Sequence, residues 1–391
     1  MHSRSYDGFA RSTPCETSLE RKEPPVVTEE QVREALRNVM DPEIGRPIED
    51  IGMLESITIE GERVEVHVLL TIEGCPLKDR ITTDVTAAVQ PLEGVGRVDV
   101  RLTPMSQQQR EGLVSTLRGG APTPQQKIRF PDSTSIVAVA LGKGGVGKSS
   151  VTVNLAAAMA AEGRKVGILD ADVWGFSVPR MLGVAGTPVG FENMILPLEG
   201  HGVKVISMGF FVPEGTPVIW RGPMLHKAIE QFLGDVYWGD LDFLLCDLPP
   251  GTGDVSISLA SFLPGASMLV VTTPQEAAHT VAERAGKMAE RTNLRPIGVV
   301  ENMSWFVCPH CGERETIFGE GGGRLTAEHL DVPLMAQVPL MPAMREGGDT
   351  GSPIVVSHPE SPAAEALREA AAAVVRAMKT KVGKPLSLLT S

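Results

Sequence analysis

The sequence Gly-Lys-Gly-Gly-Val-Gly-Lys-Ser at residues 142–149 constrains the fold of this chain more than any other feature. It follows an apolar run at 136–140, typical of a buried strand, and it opens a segment with helical periodicity. Glycines in such a turn let the backbone wrap around phosphates and direct its N–H groups toward them. Lys148 supplies a cation for the β- and γ-phosphates, and the Ser149 hydroxyl is a ligand for Mg²⁺. The pattern predicts a phosphate-binding loop between a strand and a helix.

Short apolar runs alternate with longer helical segments from residue 135 onward. Continuous apolar strands separated by helices are typical of a parallel sheet that is covered on both faces. We therefore predict an α/β fold, a doubly wound and mostly parallel sheet in a P-loop NTPase domain, preceded by a small α+β domain. The predicted strands are 136–141, 165–170, 203–207, 242–247, 267–273 and 296–301, and the main predicted helices are 149–162, 275–291 and 362–379.

The chain before residue 105 predicts a separate, smaller unit. Thr28 and Gln31 form a helix-start signal, and Ile81, Val85 and Val89 recur at a spacing of four residues. Three short strands are predicted at 55–59, 63–70 and 95–102. Polar, Gly- and Pro-containing composition indicates a linker between the two domains. The predicted organisation is a flexible tail at 1–25, an α+β domain at 26–104, a linker at 105–133, an ATPase domain at 134–380 and a C-terminal tail at 381–391.

Composition limits the partners and the compartment. Of 391 residues, 36 are Lys or Arg and 48 are Asp or Glu, so the formal charge is −12. An acidic chain argues against broad contact with nucleic acid or an anionic membrane, and we expect neither as a partner. The sequence has neither an apolar run of membrane-spanning length nor the apolar core of a signal peptide at its N-terminus. The odd number of cysteines, five, does not suit a disulfide framework, so we expect a cytoplasmic protein with reduced thiols.

Three acidic residues follow or end predicted strands. Asp170 and Asp172 lie at the carboxyl end of one strand, the edge of an α/β sheet that faces the ligand crevice. Carboxylates there can hold a Mg²⁺ shell and orient a hydrolytic water. Asp247 ends four apolar residues, the form of a Walker B aspartate, and the Gly-rich segment after it is suited to a loop that responds to the γ-phosphate.

Cys308 and Cys311 form a C-x-x-C pair, and the chain has no second such pair. Two cysteines at this spacing can bind one metal but supply only half of a tetrahedral site. The pair fits a redox couple, a zinc knuckle with two further ligands, two unliganded cysteines, or one Cys₄ site shared by two copies of the chain. A shared Cys₄ site suits either a [4Fe–4S] cluster or Zn²⁺.

Lys143, directly after the first glycine, resembles the second lysine of the deviant Walker A loop in the MinD/ParA and nitrogenase iron-protein class. In order along the chain, the P-loop, Asp170-Ala171-Asp172, the 247–254 segment, Glu301-Asn302-Met303-Ser304 and the C-x-x-C pair resemble the Mrp/ApbC iron–sulfur carrier ATPases over residues 134–380. The N-terminal unit resembles the small iron–sulfur assembly domain often fused to them. Phe176 departs from that pattern, where many members have proline.

The resemblance implies an ATPase that works as a homodimer and transfers a [4Fe–4S] cluster to apoproteins, with assembly factors as further partners. It implies ATP and Mg²⁺ as cofactors, places Lys143 at the phosphates of the partner subunit and Asn302 near the adenine, and makes Cys75 a possible cluster-handling thiol. The candidate catalytic residues are Lys143, Lys148 and Asp172. The remaining candidates are Gly142, Lys143, Gly144, Gly145, Val146, Gly147, Lys148, Ser149, Ser150 and Asn302 for the nucleotide, Ser149, Asp170 and Asp247 for Mg²⁺, and Cys308 and Cys311 for the cluster.

Two other functions compete with this one on the sequence alone. The first is a MinD- or ParA-like spatial-positioning ATPase that acts on a membrane or DNA. The predicted C-terminal helix carries a largely Ala-rich face, which makes a weak membrane anchor. The second is a zinc-stabilised scaffold with vestigial turnover, which metal analysis of anaerobically purified protein would separate from a cluster carrier.

Overall fold

A computed structural model describes residues 27–42, 44–71, 78–117, 128, 130–141, 144–172, 175–191, 194–212, 222–250, 254–263, 265–275, 278–308 and 310–379. Contacts divide the chain into two compact units, Met1–Leu117 and Arg118–Ser391. The predictions for the two tails and for Gly142, Lys143 and Cys75 concern residues outside the described ranges. The domain limits drawn from the sequence stay predictions.

The first unit is a three-stranded sheet with helices. Its strands lie in the order β1-β2-β3, with β1 antiparallel to β2 and β2 parallel to β3. Val64, Val66 and Val68 alternate along β2 and are fully buried, as expected for a strand with one face on the core. The elements are α1 (Glu29–Leu36), β1 (Leu54–Glu60), β2 (Arg63–Leu70), α2 (Lys78–Val89), β3 (Arg97–Pro104) and α3 (Gln107–Leu117).

Helix starts in this unit follow their local sequence. Thr28 and Gln31 form the predicted capping box at the start of α1. The start of α3 lies within the segment whose composition predicted a linker. Ser106 and Gln109 exchange hydrogen bonds of 2.9 and 3.4 Å in the same S-x-x-Q arrangement, and Leu113 is buried. The polar composition of 105–117 gave no sign of this capped helix with its short apolar face, so the first part of the predicted linker segment is helical.

The second unit is built on a nine-stranded sheet. The path runs β13-β12-β11-β4-β10-β5-β9-β8, and β14 also pairs with β12. All pairs are parallel except β8 with β9 and β12 with β13. A separate two-stranded hairpin is formed by β6 (Val189–Phe191) and β7 (Met194–Leu196). The strands of the large sheet are β4 (Ser135–Leu141), β5 (Val166–Asp170), β8 (Leu198–Gly200), β9 (Val203–Ser207), β10 (Phe243–Asp247), β11 (Ser267–Thr272), β12 (Arg295–Val307), β13 (Arg314–Glu315) and β14 (Leu334–Leu340).

Helices cover both faces of this sheet. Val137 and Val139 of β4 lie in one apolar cluster, and Ala138 and Ala140 lie in another, because successive strand residues point to opposite faces. The fold class predicted from the sequence is confirmed. The helices are α4 (Lys148–Ala161), α5 (Val178–Met181), α6 (Gly222–Gly234), α7 (Asp254–Phe262), α8 (Ala278–Thr292), α9 (Gly322–His329), α10 (Pro342–Thr350), α11 (Ile354–Ser357) and α12 (Pro362–Lys379), and a 3₁₀ turn spans Met208–Phe211.

All six strands predicted for this unit are present, with ends within one or two residues except in β12, which continues to Val307. The short β6–β7 hairpin and β14 escaped sequence reasoning. Within the described part of the chain, the helices are too short or too polar to span a bilayer.

Candidate nucleotide and cysteine sites

The described part of the phosphate-binding loop joins β4 to α4 as predicted. Gly145 and Gly147 have φ angles of 82° and 78°, in the left-handed region that glycine adopts without strain. A Cβ atom on residue 147 would overlap the side-chain amide of Asn302. Glycine at this position therefore serves both the loop conformation and a close contact with β12.

Asp247 collects three donors from the first turns of α4. Its Oδ1 lies 2.5 Å from Lys148 Nζ and accepts a 2.8 Å hydrogen bond from Thr152 Oγ1, and its Oδ2 accepts a 2.6 Å bond from Ser149 Oγ. Asp247 is fully buried, and Lys148 is only 4% exposed. A carboxylate and a hydroxyl side by side are hard oxygen ligands of the kind that Mg²⁺ takes.

Asp170 lies next to Asp247 across the β5–β10 pair. It is fully buried, and its carboxylate accepts hydrogen bonds from Ser207 Oγ at 2.8 Å and from the Asp172 N–H at 3.2 Å. Burial, with the negative charge of Asp247, raises the pKa of Asp170 to about 8. Two carboxylates this close favour a shared cation, so the candidate Mg²⁺ residues lie together.

Asp172 lies two residues beyond the end of β5 and is half-buried. Its carboxylate accepts the N–H of Gly175 at 3.2 Å. The residue is therefore held at the carboxyl edge of the sheet, at the start of the loop that leads to α5.

Asn302 of β12 joins the loop to a cavity. Its Nδ2 donates a 2.9 Å hydrogen bond to the carbonyl of Val146, and the residue is 3% exposed. Asn302, Gly147 and Ser150 line a cavity of about 280 Å³ whose remaining wall is mostly apolar. Four methionines contribute to that wall: Met181, Met303, Met341 and Met344. A cavity with a mostly apolar wall beside a phosphate-binding loop suits the flat apolar ring of a nucleobase.

The outer wall of the cavity comes from α5 and α10. Arg180 Nη2 lies 3.1 Å from Asp349 Oδ1, and Arg345 Nη1 lies 3.3 Å from Asp349 Oδ2. Gly183 and Gly351, both at positive φ, permit a backbone approach that a Cβ on either would obstruct. These contacts place Arg345, Gly348 and Asp349 of α10 in the wall of the cavity.

Cys308 and Cys311 lie at the tip of the β12–β13 hairpin. The Cys308 N–H donates to the Glu313 carbonyl at 2.9 Å, and the Gly312 N–H donates to the Cys308 carbonyl at 2.8 Å. Hydrogen bonds from the backbone N–H groups of Cys311 and His310 lower the pKa of the Cys308 thiol. Both thiols are free, with Cys311 exposed and Cys308 half-buried. A stabilised thiolate at a hairpin tip is a suitable soft metal ligand.

The other cysteine in the described ranges does not share these properties. Cys246 is buried inside β10, and burial raises the pKa of its thiol, so it is a core residue. The described residues contain no group of three or more His, Cys, Asp or Glu side chains placed to hold a metal ion. The hairpin pair thus stays a two-ligand set.

Sequence reasoning missed several residues of the site. Thr152, which supplies a second hydroxyl to Asp247, was detectable because it lies four residues after Lys148 on the same helix face. Ser207, the partner of Asp170, ends the neighbouring strand β9. The methionines of the cavity look like packing residues in the sequence, and no local signal marks them as part of a cavity.

The sequence matches two families and several known proteins. Residues 132–375 match the family described as NUBPL iron-transfer P-loop NTPase, and residues 29–100 match that described as iron-sulfur cluster assembly protein. The chain is 52% identical to the iron-sulfur cluster carrier protein of Mycobacterium tuberculosis, over 91% of this chain and 96% of that protein. It is 43% identical to that of Synechocystis, over 88% and 95% of the two chains.

A solved structure is similar to part of this chain. The nucleotide-binding protein of Archaeoglobus fulgidus, in complex with ADP, is 38% identical with a TM-score of 0.52. The match covers 60% of this chain and 92% of that protein.

Proposed function

The chain belongs to the NUBPL iron-transfer P-loop NTPase family, and we propose that it is an ATP-hydrolysing carrier of iron–sulfur clusters. As a cytoplasmic homodimer, it holds a [4Fe–4S] cluster as cargo, receives it from assembly factors and transfers it to apoproteins. The observation that carries this proposal is one sheet that presents both a P-loop ion cluster and a two-thiol hairpin.

The ion cluster supports nucleotide chemistry with Mg²⁺. Lys148 neutralises phosphate charge, the N–H groups of the loop bind phosphate oxygens, and Asp172 orients the attacking water. Ser149, Asp247 and Asp170 would supply oxygen ligands to Mg²⁺, which would offset negative charge on the transferring phosphoryl group.

The cavity beside the loop supports ATP as the nucleotide. Asn302 is locked by its bond to Val146, which leaves its amide oxygen as an acceptor for an amino group such as that of adenine. Lys143 lies outside the described residues; its proposed role, at the phosphates of the partner subunit, comes from the family resemblance.

The hairpin supports cluster binding between two subunits. Cys308 and Cys311 supply two sulfurs, whereas a [4Fe–4S] cluster takes four, and a twofold axis doubles the set without further sequence. The hairpin tip is exposed at Cys311, which gives an apoprotein access to the cargo.

Anaerobic reconstitution tests the cargo. We expect about four irons per dimer in the wild-type protein and loss of iron in a Cys308→Ala, Cys311→Ala variant, because the cluster has four ligands. A Cys15→Ala variant is the control and keeps its iron. Full retention of iron in the double variant would contradict the proposal and direct attention to Cys75, whereas zinc in place of iron after anaerobic preparation would support the scaffold alternative.

Nucleotide assays test the ATPase. Lys148→Ala loses a charge-assisted contact of about 1.5–3 kcal/mol, so we expect weaker ATP binding and little turnover. Lys287, 67% exposed on α8, provides the matched control Lys287→Ala. Unchanged affinity and turnover in Lys148→Ala would refute the assignment.

Mixed dimers test Lys143. Because the phosphates are bound mostly by the subunit's own loop, Lys143→Ala is expected to keep nucleotide binding and lose hydrolysis. Mixing it with Lys148→Ala yields activity that depends on pairing if the lysine acts across the interface. Activity that is simply proportional to the wild-type content would contradict a role in trans.

A further inference from the structure

One strand connects the cavity to the cysteine hairpin. Asn302 of β12 lines the cavity, and Cys308 directly follows Val307, the last residue of the same strand. Anything that changes the course of β12 between these two points changes where Cys308 lies. The residues between them therefore bear on both proposed sites.

Met303 is the irregular point of that strand. Its φ angle is 58°, in the left-handed region of backbone conformation that residues other than glycine and asparagine rarely adopt. The other described non-glycine residues with positive φ, His201, Asn293 and Asp331, lie outside strands and helices. A strained backbone inside a strand persists only because the surrounding structure holds it there.

The strain coincides with a bulge. Asn302 pairs with Val338 of β14, and the next pair is Phe306 with Leu340. Three residues of β12 therefore face only Pro339 of β14. A bulge bends its strand and redirects the chain beyond it, which here is the segment that ends at Cys308.

Both sides of the bulge are held rigidly. Before it, the carboxylate of Glu301, 1% exposed, accepts bonds from the Gly323 N–H at 2.5 Å and from Gln337 Nε2 at 2.7 Å. Beyond it, the hairpin is paired to β13, whose Arg314 guanidinium lies 3.6 Å from the ring centre of Trp305, the last residue of the bulge. The bulge thus lies between two fixed segments. We call the bulge, residues 303–305, the joint, and the segment beyond it, residues 306–308, the cysteine arm.

The cavity touches this joint from both strands. Met303 of β12 and Pro339 and Leu340 of β14 all line it. A ligand in the cavity makes contacts that depend on the geometry of the bulge, and such differential contacts are what allow a ligand to shift a conformation.

We propose that Met303 is a positioning residue that couples the cavity to Cys308: nucleotide in the cavity resets the bulge and moves the cysteine arm. The inference rests on the proposed nucleotide and cluster sites and adds the element that links them. By linkage, loading of the cysteines changes nucleotide affinity by the same factor.

Alkylation of the two cysteines tests the coupling in metal-free, reduced, full-length protein. Iodoacetamide rates at Cys308 and Cys311 are measured by peptide mass spectrometry with and without saturating Mg·ADP, and buried Cys246 is the internal reference. We expect ADP to change the rate at one or both hairpin cysteines by about fivefold, a usual size for coupling between sites. In Met303→Gly, which has neither the strain nor the side chain, the response disappears.

Two controls separate the joint from general effects. Met303→Leu keeps the left-handed strain and an apolar side chain in the cavity, so it keeps the ADP response. Asn293→Gly changes a left-handed residue outside β12 and keeps it as well. If Met303→Gly fails to fold or to bind ADP, Met303→Asn replaces it, since asparagine tolerates the left-handed region.

The outcomes distinguish this inference from the function on which it rests. If ADP leaves the alkylation rates of Cys308 and Cys311 unchanged in the wild-type protein, the coupling alone is overturned. A full ADP response of these rates in Met303→Gly overturns it as well. Absence of ADP binding, or of iron at Cys308 and Cys311, in the wild-type protein overturns the proposed function itself.

Discussion

The ion pair between Lys148 and Asp247 makes a measurable prediction for the nucleotide-free protein. We consider Lys148→Met and Asp247→Asn, which remove one charge each at nearly constant size, and the double variant, which removes both. Lys148 is 4% exposed and Asp247 is fully buried, so each single variant leaves a buried charge without its counter-ion.

The structure gives the size and order of the effects. Removing one partner of a buried pair costs about 3–5 kcal/mol. Lys148→Met lies toward the lower end, about 3 kcal/mol, because Asp247 keeps the Ser149 and Thr152 hydroxyls. Asp247→Asn leaves Lys148 without its counter-ion and weakens the contacts to the Ser149 and Thr152 hydroxyls, so it costs at least as much. The double variant costs less than the sum of the single variants, with a coupling free energy of about 2 kcal/mol.

Urea unfolding without nucleotide or Mg²⁺ measures these values. All four tryptophans lie within Arg118–Ser391, at residues 174, 220, 238 and 305, so their fluorescence reports on the unit that contains the pair. Lys287→Met removes an exposed lysine and is expected to change stability by less than about 0.5 kcal/mol. Additive effects of Lys148→Met and Asp247→Asn, or a Lys148→Met variant as stable as Lys287→Met, would refute the reasoning.

Two further predictions concern the loop and its carboxylates. Gly147→Ala combines a left-handed backbone with overlap on Asn302, so we expect the ADP affinity measured by calorimetry to fall at least about tenfold. Gly145 is also left-handed but faces open space, so we expect Gly145→Ala to lose less ADP affinity. Equal losses of affinity in the two variants would contradict the Asn302 contact. The pKa of Asp170 is raised to about 8, so the folded protein holds a proton that the unfolded chain releases above about pH 4. The contribution of this group to stability is therefore full at low pH and is lost as pH rises through 8, by up to about 1.4 kcal/mol per pH unit. In Mg²⁺-free urea unfolding, we expect Asp170→Asn to flatten this decline of stability with pH. An unchanged slope in Asp170→Asn would contradict the raised pKa.

The sequence predicted best those features that depend on neighbouring residues. The P-loop, the capping box at Thr28 and the buried face of α2 are each written within about ten residues, so local periodicity and turn chemistry suffice for them. Asp247 was found for the same reason, since it ends a continuous apolar strand. The match between predicted and observed strands in the parallel sheet arises from burial on both faces, which leaves an apolar run that few other structures explain.

The features that sequence reasoning missed depend on residues far apart in the chain. The cavity wall joins Met181 of α5, Met303 of β12, Met341 between β14 and α10, and Met344 of α10. Only the parallel pairing of β12 with β14 brings the last three together. Nothing local distinguishes these methionines from packing residues, and several also pack against the core. A cavity is a property of the assembled sheet edge and of the helices that close it.

The bulge at Met303 shows why a sequence motif can be identified without revealing what each of its residues does. Residues 301–304 stand out in the sequence for their resemblance to a family, yet each does something different: Glu301 anchors α9, Asn302 reaches the loop, and Met303 carries the strain. A regular strand would alternate these side chains between two faces and run on without a bend. Two extra residues opposite Pro339 break that alternation, and the register of β14 that reveals them is encoded more than thirty residues later. A sequence pattern therefore identifies which residues matter here, while the pairing of two distant strands determines what each of them can do.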